Sequence, residues 1–250
     1  HLDNCYEDIK DNFNEPSFQE KLRSLVKSVL NPQLTVLDLR RNFMFVTDCI
    51  MEELGSLKKL EVLKLSCYFK SDIYEPPQSM ISHLHALKHL QVLCVNFCCT
   101  DAALEIVCDS CEYLKKLDVS HSRYVTDKSI SHILKLKNVQ VLALSFTSVS
   151  QNGYHRLMKS LVLEGRAKML KCLDFECYST SQLNDLNAFE NLIEVSVVTK
   201  QECELTVFKH LEYLKRLKLS SGDFTKVKDL FIAIGNKPFT LEVDTFQRNR

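Results

Sequence analysis

The sequence has little glycine, little proline and no tryptophan. Five glycines and five prolines among 250 residues argue against disorder, collagen-like structure and long flexible linkers. So few glycines also make phosphate-binding loops hard to place. The chain contains no Walker A loop, no G-x-G-x-x-G, no G-x-S-x-G and no kinase signature. We therefore expect no enzymatic activity and no cofactor.

Net charge and long apolar runs are missing as well. Lys plus Arg and Asp plus Glu both total 32, so no overall field attracts nucleic acid or an anionic membrane. No stretch approaches the roughly 18 apolar residues that suggest a membrane span, and the chain does not begin with a signal-peptide pattern. We expect an intracellular protein, cytoplasmic or nuclear or both, with no nucleic-acid or membrane partner.

One apolar pattern, L-x-x-L-x-L, recurs along nearly the whole chain, as in Leu114-Lys-Lys-Leu117-Asp-Val119. The copies begin 22 to 31 residues apart, which is the period range of a leucine-rich repeat. Their first residues are Leu34, Leu60, Leu90, Leu114, Val139, Leu170, Leu192 and Leu214. A ninth, degenerate copy is expected at Leu241-x-Val243. The predicted fold is α/β, a leucine-rich repeat solenoid of eight or nine repeats: a right-handed arc with a concave parallel β-sheet and outer helices.

Local signals divide the chain and place its helices. Residues 1–33 should form an N-terminal segment with a capping helix, and 34–250 the repeat domain with a C-terminal cap. Thr47 and Thr126 each precede an Asp and are expected as helix N-caps, with Thr100 as a third. Brief helices are expected at 185–189 and 204–211, and a closing strand at 239–243. Turn residues that satisfy the backbone after the strands should be Asn42, Cys98, Ser122 and Thr147.

The segment from Cys111 through Leu114, Leu117 and Val119 to Val125-Thr126-Asp127 resembles the cysteine-containing repeats of F-box/LRR proteins. The resemblance is close in the repeats at Leu34, Leu90 and Leu114 and loose in the last three. It implies the substrate-binding part of a cullin-RING ubiquitin-ligase receptor, with the protein ligand on the concave face. No F-box Leu-Pro start precedes Leu34, so a cullin-RING adaptor would be contacted through sequence outside this chain. A structural adaptor or complex subunit with no ubiquitin role is the alternative.

Cysteine and histidine supply the remaining candidates for chemistry. Cys108 and Cys111 have C-x-x-C spacing and Cys98-Cys99 lies nearby, but the repeat itself explains the positions of Cys98 and Cys111. His85 and His89 are four residues apart without the Glu of an H-E-x-x-H motif. We therefore expect reduced thiols and no metal site.

Partner-binding residues are expected at outward strand positions and just beyond the strands: Arg40, Lys64, Tyr68, Asn96, Phe97, Asp118, His121, Phe146, Asp174, Glu176 and Lys218. The aromatic members could form an interface or pack between repeats. One Val per strand, at Val36, Val62, Val92 and Val141, could form an exposed apolar row or support the sheet sideways. Local nucleic-acid binding through Lys115, Lys116, Arg216 and Lys218 is the weakest hypothesis, because the net charge is zero.

Overall fold

A computed structural model describes residues 16–40, 53–66, 83–220, 227–230, 232 and 238–244. Among the residues named above, Asn42, Thr47 and Tyr68 lie outside the described residues. So do residues 1–15 of the predicted N-terminal segment, and parts of the predicted repeat domain and its C-terminal cap at 41–52, 67–82, 221–226, 231, 233–237 and 245–250.

The described strands form one parallel sheet in which each strand lies beside the next one in sequence. Its nine strands are β1 Val36–Asp38, β2 Val62–Ser66, β3 Val92–Asn96, β4 Lys116–Asp118, β5 Val141–Ala143, β6 Cys172–Cys177, β7 Glu194–Thr199, β8 Arg216–Ser220 and β9 Thr240–Asp244. Repeat-equivalent residues are paired directly, as in Leu63 with Leu93 and Leu93 with Leu117. This sheet, with helices on one side, confirms the predicted leucine-rich repeat solenoid, and the degenerate ninth copy supplies β9.

The apolar residues of each repeat form the core. Leu117 in β4 and Val119 just after it are fully buried, as are Leu63 and Leu65 in β2. This pattern confirms the predicted alternation. Each buried leucine contributes about 2 kcal/mol relative to an exposed one. Because the rows run through every repeat, each repeat's side chains complete the core of its neighbours.

Helical segments of different lengths connect the strands. The α-helices are α1 Pro16–Val29, α2 Asp101–Ser110, α3 Ser129–Ile133, α4 Gln151–Leu163 and α5 Thr180–Asn184. The 3₁₀ helices are Ala167–Met169, Asp185–Ala188 and Leu205–His210. Two of these coincide with the brief helices expected at 185–189 and 204–211. The 22-residue repeats therefore leave room only for short helical turns.

One of the expected N-caps is confirmed and another is wrong. Thr100 caps α2, because its hydroxyl accepts a hydrogen bond from the Ala103 N–H at 3.2 Å. Thr126 does not cap α3, which begins three residues later. Its hydroxyl instead donates to the Asp101 carboxylate of the preceding repeat at 2.6 Å, and its N–H donates to the same carboxylate at 2.8 Å.

The Asp after each of these threonines therefore links neighbouring repeats. Asp127 accepts hydrogen bonds from the Ser150 N–H at 2.7 Å and from the Ser150 hydroxyl at 2.6 Å, just before α4. In the same way Asp101 receives Thr126. Carboxylates that accept from a backbone N–H make stronger hydrogen bonds than neutral acceptors. The Thr-Asp pairs consequently tie each turn to the next one.

Two of the predicted turn residues, Ser122 and Thr147, satisfy the backbone as expected. The Ser122 hydroxyl donates to the Val95 carbonyl and accepts from the Cys99 N–H, both at 3.2 Å. The Thr147 hydroxyl donates to the Leu144 carbonyl at 2.8 Å. These bonds supply partners to backbone groups that leave the sheet pairing.

A buried arginine follows α4. Arg166 is only 9% exposed, and its guanidinium donates to the carbonyls of Leu136 at 2.7 Å and Leu134 at 2.8 Å. It also forms an ion pair with Glu164 at 2.9 Å. Arg166 thus satisfies carbonyls at the end of the preceding repeat's helical segment, where an α-helix leaves its last carbonyls without partners.

Candidate functional site

Three rings stack beyond the C-terminal ends of β3, β4 and β5. The centroids of Phe97 and His121 lie 4.7 Å apart at an interplanar angle of 19°, and those of His121 and Phe146 lie 4.5 Å apart at 10°. The three residues hold equivalent positions in successive repeats, so the sheet register brings them together. We call Phe97, His121 and Phe146 the aromatic ladder.

The ladder residues share an unusual backbone conformation. Their φ angles are 71°, 64° and 57°, in the left-handed region that non-glycine residues seldom adopt. The Phe97 N–H donates to the Ser120 carbonyl at 3.3 Å, and the His121 N–H donates to the Ser145 carbonyl at 2.9 Å. Backbone pairing between repeats therefore continues through the ladder and fixes where each ring lies.

An ion pair between buried Glu176 and exposed Lys200 closes one end of the ladder. The Lys200 ammonium lies 5.5 Å from the Phe146 ring centroid and 2.8 Å from the Glu176 carboxylate. Glu176 is 2% exposed. It also accepts from the Phe146 N–H at 3.1 Å and from the Tyr178 hydroxyl at 2.8 Å. Glu176, expected to face a ligand, instead lies beneath the surface and holds Phe146 and Lys200 in place.

Tyr178 stands beside this ion pair. Burial, together with the hydrogen bond and charge of Glu176, raises the pKa of the Tyr178 phenol. The phenol therefore stays protonated and donates to the carboxylate. The Lys200 ammonium lies near the Phe146 ring, and its carboxylate partner Glu176 is hydrogen-bonded by Tyr178. The cation is therefore already ordered, so a ligand that contacts it loses little additional entropy.

His121 is the exposed member of the ladder. Partial burial between the phenylalanines lowers the pKa of its imidazole, while the Asp118 carboxylate opposes that shift. The ring is therefore neutral at neutral pH, and its edge reaches solvent between two half-buried phenylalanine rings.

A polar strip lies on the sheet next to the ladder. The Asn96 amide donates to Asp118 Oδ1 at 2.7 Å and to the Ser120 hydroxyl at 2.9 Å. The Ser120 hydroxyl also donates to Asp118 Oδ1 at 2.7 Å. We call Asn96, Asp118, Ser120, Ser145 and Asp174 the polar strip. Asn96 in β3, Asp118 in β4 and Ser120 just after β4 therefore hold one another in fixed conformations. A surface fixed in this way loses little conformational freedom if it binds a ligand.

Asp174 completes the polar strip on β6. Burial raises its pKa to about 6, and a hydrogen bond from Ser145, 2.7 Å from Asp174 Oδ2, opposes the shift. The negative charge of Asp118 raises it further and the Lys218 ammonium lowers it. The strip therefore carries two carboxylates whose ionisation is linked.

The other predicted contact residues lie apart from the ladder. Arg40 makes a two-point contact with Asp38, at 2.8 and 3.0 Å, and Lys64 lies 3.5 Å from the same carboxylate. Arg40 donates to Asp38 and lowers the pKa of that carboxyl to about 2. Lys218 pairs with Glu242 at 3.5 Å, nearer the C-terminal end of the sheet.

The valine row is only partly continuous. Val36, Val62 and Val92 are paired with one another across β1, β2 and β3, but Lys116 separates them from Val141. Val36 on the edge strand is exposed, and the other three are half-buried. The three contiguous valines therefore support their strands sideways and still present an apolar edge.

Counting along the repeats predicts Ser120 and Ser145 as outward strand positions equivalent to Asn96, but the sequence reasoning missed Lys200 as a contributor to this surface. Lys200 is one residue out of step with the ladder position, because Thr199 pairs with Cys177, so no repeat count predicts it.

The described residues meet neither the requirements of a metal site nor those of a membrane-spanning helix. Residues 16–40, 53–66, 83–220, 227–230, 232 and 238–244 include no group of three or more His, Cys, Asp or Glu side chains placed to hold a metal ion. Burial raises the pKa of the Cys99 thiol to about 12 and of Cys111 to about 11. Of the helices in these ranges, none has the length and apolar character needed to cross a bilayer.

The register and period together define a leucine-rich repeat protein. No family model and no curated protein matches the sequence. Among solved structures, internalin C2 of Listeria monocytogenes is 16% identical, with a TM-score of 0.47, and the match covers 78% of this chain and 84% of that chain. The internalin inlF of the same species is 14% identical, with a TM-score of 0.40, and the match covers 92% of this chain and 90% of that chain. A leucine-rich repeat protein of Leptospira interrogans is 15% identical, with a TM-score of 0.37, and the match covers 77% of this chain and 62% of that chain.

Proposed function

We propose that this chain is a non-catalytic protein-recognition scaffold whose ligand binds the polar strip and the aromatic ladder. The observation that carries the proposal is the ladder itself. Three rings at equivalent positions in successive repeats stand at the edge of the concave sheet, beside fixed polar groups. Aromatic side chains of this kind are common binding hot spots.

The surface is prepared for a ligand before binding. Asn96, Asp118 and Ser120 are hydrogen-bonded to one another, and the ladder is held by backbone pairing. A partner therefore orders few side chains when it binds, and the entropic cost of association falls accordingly. Exposed His121, between two rings, is the proposed centre of the contact, with Asp118 and Asp174 beside it and Arg40, Lys64 and Lys218 at the rim.

More specifically, we propose the substrate-binding part of a cullin-RING ubiquitin-ligase receptor. The support is the cysteine-containing repeat pattern around Cys111, whose thiol lies buried and donates to the Leu87 carbonyl at 3.3 Å. The alternative is a structural adaptor without a ubiquitin role. Both use the same surface, and they differ in what else the full-length protein binds.

The test is purification of the full-length protein from its native cells with quantitative mass spectrometry. The informative variant is His121→Asn, because Asn accepts the left-handed backbone but removes the ring. Tyr113→Asn is the matched control, since Tyr113 is an aromatic residue that is 51% exposed at the opposite edge of the sheet. We expect at least one co-purified protein to fall about tenfold with His121→Asn, as for loss of a hot spot, and to be retained by the control.

Two outcomes would contradict parts of the proposal. If every co-purified protein responds equally to His121→Asn and to Tyr113→Asn, the ladder is not the binding surface. If a ladder-dependent partner is recovered in stoichiometric amount without a cullin or its adaptor, the ligase role is wrong and the structural adaptor remains.

A further inference from the structure

A groove at the opposite edge of the sheet combines apolar side chains with positive charge. It encloses about 410 Å³, and its lining includes Lys168, Met169, Lys171, Ile193, Tyr213 and Lys215. We call it the basic edge groove. It lies where the chain enters β6, β7 and β8, and it is separate from the ladder, which follows the strands.

Its central residues lie in one row, one per strand. The Ile193 N–H donates to the Lys171 carbonyl at 2.7 Å, and the Lys215 N–H donates to the Ile193 carbonyl at 2.8 Å. Because neighbouring strands are about 4.8 Å apart, the backbones of Lys171 and Lys215 are about 10 Å apart with Ile193 between them.

The floor of the groove is apolar but open to solvent. Tyr213 is 54% exposed and Met169 is 38% exposed, while Ile193 is half-buried. The Asn191 amide donates to the Lys168 carbonyl at 2.7 Å and so connects the turns of two neighbouring repeats. Exposed apolar side chains that cluster around a groove are typical of binding sites.

The two lysines of the row make no internal ion pair. Lys168 pairs with Glu190 at 3.0 Å. Across residues 83–220 and the other described ranges, by contrast, no side-chain hydrogen bond or ion pair involves the ammonium of Lys171 or Lys215. Two uncompensated positive charges therefore flank the apolar floor.

A second groove on the same edge provides an internal comparison. It encloses about 460 Å³ near the start of the sheet, and its lining includes Lys59, Glu61, Gln91, Tyr113 and Lys115. There Lys59 donates to Gln33, and Lys115 donates to Gln91 at 2.9 Å. Gln91 in turn donates to Glu61 at 3.3 Å. The lysines of this groove are hydrogen-bonded to glutamine side chains and a carboxylate, Glu61, lies among them, whereas within the described residues Lys171 and Lys215 have neither kind of partner.

We propose that the basic edge groove binds an extended acidic segment of a protein partner. Two carboxylates four residues apart point to the same face of an extended chain and span about 13 Å, a distance that the long side chains of Lys171 and Lys215 can bridge. An apolar side chain between them covers Met169 and Tyr213. The apolar floor and the presence of only two uncompensated lysines favour a peptide over nucleic acid, whose affinity comes mainly from many phosphate contacts.

The probe is a fluorescein-labelled peptide of about twelve residues with two glutamates four positions apart and a phenylalanine midway between them, so that all three side chains face the same side of an extended chain. Binding to the full chain is followed by fluorescence anisotropy at about 50 mM salt, where screening is weak. We expect the double variant Lys171→Glu with Lys215→Glu to lose at least tenfold in affinity. The control double variant, Lys59→Glu with Lys115→Glu, should change the affinity less than twofold.

Three further measurements decide the proposal. A peptide with glutamine in place of glutamate should bind at least tenfold more weakly, and His121→Asn should leave probe binding unchanged, which separates this site from the proposed ligand surface. No binding by the wild type, or equal loss in both double variants, would overturn it. A nucleic-acid ligand is the other outcome that would overturn the proposal. Single-stranded DNA of similar length would then bind more tightly than the peptide, and its affinity would fall steeply with salt in the wild type but not in Lys171→Glu with Lys215→Glu. Lys171→Gln with Lys215→Gln should show the same direction of effect if the Glu variant unfolds.

Discussion

The central repeats and the C-terminal repeats solve the same packing problem with different side chains. In residues 83–163, α2 and α4 have 10 and 13 residues, and Tyr154 is the one fully buried aromatic residue. In residues 164–220 the longest helical segment is a six-residue 3₁₀ helix, and Phe175, Phe189 and Phe208 are fully buried.

The difference shows how the period of the repeat sets its core. The repeats of 24 and 31 residues that begin at Leu90 and Val139 contain the ten- and thirteen-residue helices, whereas no helix in the 22-residue repeats, which the structure describes in full, is longer than six residues. Since the interior must be filled to the density of an organic crystal, the short repeats use larger side chains in place of helical turns. The Thr-Asp links between repeats are likewise found in the central region, at Asp101 and Asp127.

The largest expected effect is in the C-terminal core. Phe208→Ala should lower the free energy of unfolding by about 3–5 kcal/mol, because it leaves a cavity that no nearby helix can move to fill. Phe208→Leu, which keeps most of the volume, should cost only about 1 kcal/mol. Denaturant unfolding measures both, and equal losses for the two variants would show that volume is not what Phe208 supplies.

The junction between the two regions should respond next. Arg166→Met should cost about 3 kcal/mol, because it leaves the buried carbonyls of Leu134 and Leu136 without donors. Hydrogen exchange should then show residues 164–220 opening before the central repeats. Lys168→Met, at an exposed position two residues away, should change stability by less than about 0.5 kcal/mol. A single cooperative transition of unchanged midpoint in Arg166→Met would contradict the role of Arg166 as a link.

Alanine substitutions at two glycines distinguish the cost of steric crowding from the cost of a left-handed backbone. In Gly153→Ala the new Cβ would lie 2.2 Å from Asp127 Oδ1 and 2.8 Å from Val149 Cγ1, so the link to Ser150 must move. We expect a loss of about 2 kcal/mol in thermal unfolding instead of the usual gain of an alanine in a helix. Gly165→Ala meets no atom within 4 Å but has a φ of 68°, and should cost about 1 kcal/mol. Gly153→Ala that stabilises the chain would contradict this packing.

The last expected effect concerns Asp174, the carboxylate that joins the two regions through Ser145. The folded pKa of Asp174, about 6, lies above its ordinary value of 3.8, so the folded state binds the proton more tightly than the unfolded one. Its favourable contribution is complete below pH 3.8 and is lost as the pH rises through 6. Asp174→Asn should therefore stabilise the chain by about 1–2 kcal/mol at neutral pH and by almost nothing near the ordinary pKa. An advantage that does not shrink on acidification would show that charge is not the cause.

The apolar spacing predicts the strands, their order and their buried rows because each repeat must cover the next. Thr126 shows where such reasoning fails: its sequence matches an N-cap, yet a carboxylate from the neighbouring repeat competes for its hydroxyl. The ladder positions carry little local sign of a left-handed turn, because two of the three are Phe, a bulky residue that is unusual in that conformation. Glu176 occupies an outward strand position and is buried all the same, because Lys200 comes from the next repeat to pair with it.

The stacked rings have a consequence for how this surface can change over evolution. Three left-handed residues cost about 1 kcal/mol each, and two stacked pairs return about 0.5–1.5 kcal/mol each. These two terms nearly cancel, so exchanging a ring for asparagine or glycine alters the stability of the fold little. The ladder can therefore vary between descendants of this chain with little thermodynamic penalty, and new ligand preferences can arise there without rebuilding the repeats beneath.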